Sequence, residues 1–114
     1  LHIIIHCISH LLESCTDQIN AKYNELLCVA KGAYVHYRST WNHIRFVMER
    51  EGLKDKKQLQ SILEDETELV LNMLKLRKED SRIGYEASNH YFYTVQDLKE
   101  KLLNLDYLKH YYSN

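Results

Sequence analysis

Three groups of side chains carry atoms that could do chemistry. His2, His6 and His10 recur every four residues, so on a helix they share a slowly drifting face where adjacent imidazoles can meet a metal. Only Cys7 and Glu13 stand at matching spacing. That ligand set is incomplete, so the histidines read as a polar helix flank, and no metal or other cofactor is expected. Glu66 interrupts the apolar series Leu59, Ile62, Leu69, Met73 and Leu76. A carboxylate buried in such a seam needs a partner or takes up a proton. Arg38, His36, His43 and Arg45 are the candidate partners, and the expected role of Glu66 with Arg38 is structural.

The third group is the run from Asp80 to Tyr93, which gathers Arg82, Glu86, Asn89, His90, Tyr91 and Tyr93 with Tyr85 and Phe92. Aromatic rings flanked by Asn, His and carboxylates are the materials of sugar-binding surfaces, and an ordered connection of this length often carries function. The competing reading has the rings covering the open end of the fold, with Arg82 and Glu86 tying the segment down. No nucleophile–base–orienter set, phosphate-cradling glycine loop or dinucleotide fingerprint can be assembled, so no catalytic residue is assigned and the isolated chain is not expected to act as an enzyme.

The elements that must position these groups read as helices. The 114 residues contain no proline and three glycines, Gly32, Gly52 and Gly84, which removes the usual punctuation of hairpins. Ile4, Ile8, Leu11, Leu12 and Cys15 take three- and four-residue steps in a first stretch, with Ser14 or Thr16 available to cap a second helix. Ile19, Tyr23, Leu26, Ala30, Ala33, Tyr37, Trp41, Ile44 and Met48 continue those steps over about eight turns, and predict a long core-facing stripe thinned at Gly32 for a close crossing. Gly52 is expected to end that helix as a left-handed cap, with Leu53 folding back on Met48. Asp55 with Gln58 resembles a capping box opening the next helix, which should end near Asp80 with Lys75, Arg77 and Lys78 at its negative end. Thr94 with Asp97 is a second capping box, opening a helix with the stripe Leu98, Leu102, Leu105, Leu108 and Tyr112.

The expected fold is therefore all-α, an antiparallel bundle of three to four long helices with one long polar-aromatic loop. At this length residues 1–114 make one helical domain. The chain opens with Leu1, which reads as a processed chain, a fragment or a C-terminal domain of a longer protein. Fifteen basic against sixteen acidic residues leave no excess charge for a phosphate backbone, so no nucleic-acid partner is expected. The opening apolar run, broken by His2 and His6, is too short to span a membrane. Cys7, Cys15 and Cys28 are odd in number and form no C-x-x-C pair, so they read as small core residues.

The run Asp80 to Tyr93, followed by Thr94-Val95-Gln96-Asp97-Leu98-Lys99-Glu100-Lys101, resembles the C-terminal helical region of large carbohydrate-active, glycoside-hydrolase-like proteins of gut Bacteroidetes-type bacteria. The resemblance covers about a fifth of the chain and departs at Val95, where such sequences usually have proline. It implies an accessory helical domain of a glycan-processing protein, packed beside an upstream catalytic domain of the same parent. It further implies carbohydrate contact through Arg82, Glu86, Asn89, His90, Tyr91 and Tyr93, and a periplasmic or cell-surface location. The alternative is a small helical-bundle protein–protein interaction or dimerisation module, associating through Tyr107, Tyr111 and Tyr112 or through Ile3 to Leu12.

Overall fold

In a computed structural model that describes residues 2–5, 17–52, 55–83, 85–86, 91–92 and 94–113, three long helices dominate. They are α1, Asp17–Glu51, α2, Lys56–Glu79, and α3, Val95–Ser113. Residues 2–5 are helical as well, with Ile3 and Ile4 exposed; the rest of the predicted first stretch lies outside the described residues. Between α2 and α3, β1 (Tyr85–Glu86) pairs antiparallel with β2 (Tyr91–Phe92), Tyr85 opposite Phe92. The protein is an all-α helical bundle, with this two-residue ladder inside the long connection.

Contacts set the helix directions. Arg45 of α1 reaches Gln58 of α2, Arg38 reaches Asp65, and Cys28 reaches Glu79, so these two helices run antiparallel. Gln60 reaches the Lys109 carbonyl and Glu66 meets Lys101, so α2 and α3 also run antiparallel.

Helix α2 is the centre of the core, burying Leu59, Ile62, Leu63, Glu66, Leu69, Val70, Met73 and Leu76. This matches the series read from the sequence. Helix α3 adds Leu98 and Leu105 in full and packs Leu102, Leu108 and Tyr112 at the edge, as its spacing predicted. The start of α2 is capped by Asp55, whose side chain accepts the Lys57 N–H at 2.9 Å. Gln58 takes no part in that cap and accepts from Arg45 instead. Asp80 ends the helix by giving its N–H to the Leu76 carbonyl at 2.8 Å. At α3, Thr94 Oγ1 accepts the Asp97 N–H at 3.1 Å and Asp97 accepts the Thr94 N–H at 2.9 Å, a closed capping box.

Helix α1 corrects the sequence reading. Its expected core stripe faces outward: Tyr37 is 74% exposed, Met48 68% and Trp41 51%, with Ile19, Leu26 and Ile44 also exposed. The packed side carries Cys28, Gly32, Val35, Ser39, Asn42 and Phe46. Val35, Ser39 and Asn42 each stand two positions before a stripe residue, about 200° round the helix, so the two lines lie on opposite sides. The smaller, more polar line wins because α2 presents Asp65 and Glu66, which need donors, and because Ile83 needs room. A Cβ on Gly32 would come within 3.1 Å of Ile83 Cγ2. The close approach expected at Gly32 is therefore made by the connection after α2. Gly52 gives its N–H to the Met48 carbonyl at 2.8 Å, outside the left-handed conformation that was expected. Leu53 lies outside the described residues.

Candidate functional site

A polar centre forms where all three helices meet. Glu66, on the buried face of α2, is 3% exposed. Its Oε1 accepts from Ser39 Oγ of α1 and from Lys101 Nζ of α3, and its Oε2 accepts from Asn42 Nδ2 at 3.1 Å. His43 Nε2 stands 3.6 Å from Oε1 and 3.4 Å from Lys101 Nζ. Asn42, 1% exposed, also gives Nδ2 to Asp65 at 2.6 Å. With both carboxylates on its nitrogen side, the amide orientation is determined, and Asn42 Oδ1 is left buried without a donor.

Of the partners considered for Glu66, His43 stands beside it, 3.6 Å away. Arg38 pairs with Asp65 at 3.1 Å, and Arg45 with Gln58. Lys101, Ser39 and Asn42 were missed. Lys101 belongs to a helix 35 residues further on, a distance no local pattern reveals. Ser39 and Asn42, however, continue the line Cys28, Gly32, Val35 at helical spacing, which was a readable signal.

Electrostatically the centre is closed on itself. Partial burial pushes the His43 imidazole below its ordinary value, and the Lys101 charge adds to this against the pull of Glu66. A carboxylate already saturated by hydroxyl, amide and ammonium donors serves to fix helix register, because its oxygens are committed. Beside it lies a cleft of about 160 Å³ lined by Phe46, Leu105 and Leu108 with His43 and Lys101.

The loop residues read from the sequence are placed only in part. Arg82 is held by Asp80, with Nη2–Oδ2 at 2.7 Å, and by Glu25 of α1, also at 2.7 Å. These bonds pull the Asp80 carboxyl down to about 2, through the Arg82 side chain first and its backbone N–H second. They also raise the Arg82 guanidinium. Arg77 secures the same turn by donating to the Ser81 carbonyl and, at 2.7 Å, to that of Ile83. Glu86 and Tyr91 are paired through the backbone, and their side chains lie outside the described residues, as do Asn89, His90 and Tyr93. His6 and His10 lie outside as well; no group of three or more metal-ligating side chains occurs among the described residues.

The third feature is the outward side of α1. Its apolar stripe continues from Ile19 to Met48 with no charged side chain in the line. On α3, Tyr107 and Tyr111 are also exposed and stack at 6.2 Å, while Tyr112 turns inward against Phe46 at 5.7 Å. No protein-family profile, curated protein or solved structure matches the chain. No helix among the described residues is long and apolar enough to cross a membrane.

Proposed function

We propose that this chain is a self-associating helical module whose docking surface is the outward side of α1. The observation that carries this reading is the exposed row Leu26, Tyr37, Trp41, Ile44 and Met48 on the side of α1 opposite its packed face. An exposed apolar row with aromatic anchors, uninterrupted by charge over most of a helix, is the composition of an interface core. The polar centre is consistent with the same reading, since it ties the packed side of α1 to α2 and α3 and so leaves the row facing outward.

The accessory-domain reading rests on the composition of the Asp80 to Tyr93 run and on the resemblance. It has Arg82 recognising an acidic or neutral sugar, and that guanidinium is engaged by two carboxylates.

Trp41 is the one tryptophan in the chain and stands within the row, so its emission reports directly on covering. Sedimentation velocity over a wide concentration range should show a dimer forming as Trp41 emission moves to shorter wavelength. The double variant Tyr37→Lys, Met48→Lys should stay monomeric, with unchanged helical circular dichroism and a water-exposed tryptophan spectrum. Wild-type chain that remains monomeric throughout, with Trp41 in water, would defeat the reading.

A further inference from the structure

Residue size along the row is uneven, and the unevenness selects an arrangement. The N-terminal half carries Ala30 and Ala33 while the C-terminal half carries Tyr37 and Trp41. From the outward placement of this row on α1, we infer that its occupant is α1 of a second copy, laid antiparallel with the two-fold axis crossing the row between Ala33 and Tyr37.

An axis there sets Ala33 opposite Tyr37, Ala30 opposite Trp41, Leu26 opposite Ile44 and Tyr23 opposite Met48. The two alanine layers then each receive one large ring, and every layer holds a comparable volume, as dense packing requires. A parallel, in-register pair would set alanine on alanine and ring on ring, leaving voids beside overfilled layers. Sliding the antiparallel pair by one step puts Ala33 near its own copy and Leu26 on Trp41, which again makes layers unequal.

Self-complementarity of one patch is what a two-fold interface demands. Leu26, Tyr37, Trp41, Ile44 and Met48 are each about half to three-quarters exposed, so covering them on both copies removes ten large apolar side chains from water, an area toward the smaller end of specific interfaces. No charge would be buried in the seam, because the row contains none.

This arrangement rests on the self-association proposed above, and cross-linking separates the two. In a background with Cys7, Cys15 and Cys28 replaced by serine, Leu26→Cys and Ile44→Cys chains are prepared separately, checked by sedimentation, and oxidised in air alone and mixed. Positions 26 and 44 are roughly 27 Å apart along one helix, beyond the reach of any disulfide. The antiparallel pair therefore predicts a covalent dimer in the mixture, composed of one chain of each kind, and little from either variant alone. Self-cross-linking of each variant alone would overturn the antiparallel arrangement in favour of a parallel one. A dimer by sedimentation that yields no cross-link in any combination would overturn the placement on this row. Both results leave self-association standing. Monomeric chains at every concentration would overturn the arrangement and the self-association together.

Discussion

Asn42 and Glu66, on neighbouring antiparallel helices and almost wholly buried, meet through a single hydrogen bond of 3.1 Å from Nδ2 to Oε2. The bond joins α1 to α2 at the point where Lys101 brings in α3. Register in this bundle is therefore set by polar groups more than by apolar ones on α1, whose only fully buried apolar side chain among the described residues is Val35.

Removing the acceptor should be costly. Glu66→Ala leaves Asn42 and Ser39 without a recipient, while Lys101, its side chain 26% exposed, can turn to solvent, and should lower stability by about 1–3 kcal/mol in urea denaturation. Lys101→Met should cost more, because it leaves the Glu66 carboxylate, its side chain 4% exposed, without its counter-charge and with only two neutral donors, the case in which a broken buried pair costs about 3–5 kcal/mol. The double variant should lose less than the sum of the two, since the groups share one interaction.

Gly32 can be tested through its neighbour. Gly32→Val places methyl groups where Ile83 already stands, 3.1 Å from the first added carbon, and should destabilise by about 1–3 kcal/mol. Ile83→Ala in the same chain should recover part of that loss, although each change alone is unfavourable. Thermal unfolding of the two single variants and the double variant would read this, and strict additivity would contradict the contact.

Stability should fall as pH drops through the histidine range. His43 is held below its ordinary 6.5 by partial burial first and by Lys101 second, with Glu66 opposing. Between the depressed folded value and 6.5 the unfolded chain binds more protons, so stability rises with pH across that window. The contribution is complete above 6.5 and is lost as pH falls through the folded value. His43→Gln should flatten the dependence of the urea midpoint over this range, and an unchanged slope would count against the assignment.

The capping box of α3 should be worth about 1 kcal/mol, the usual cost of a threonine cap replaced by alanine. Thr94→Ala removes the acceptor for the Asp97 N–H and the hydroxyl that helps to hold the Asp97 carboxyl below its ordinary range. Backbone amide exchange over the first turn of α3 should quicken in the variant while the centre of α2 is unaffected. Thr94→Ser should retain most of the protection.

Much of the helical layout was legible in the chain. Asp55 and Thr94 mark helix starts through hydrogen bonds reaching only two or three residues, and Asp80 closes α2 through a bond four residues long. Such local chemistry is written in consecutive residues. The stripes of α2 and α3 were legible because each helix has one apolar side, so periodicity and burial coincide.

On α1 they do not coincide. The sequence by itself determined that this helix would be long and that an apolar row would run from Ile19 to Met48. It also determined that Glu66 would break the seam of α2. Only the tertiary structure decided that α1 turns the row outward and packs its smaller, more polar side. Burial of a helix face depends on what the neighbouring helix presents. Here α2 presents two carboxylates, and the donors that satisfy them, Arg38, Ser39, Asn42 and Lys101, sit on the other two helices at sequence distances that no periodicity connects. The hydrophobic effect rewards covered area without regard to direction, whereas a buried carboxylate without donors is prohibitively costly, and that difference selects the face.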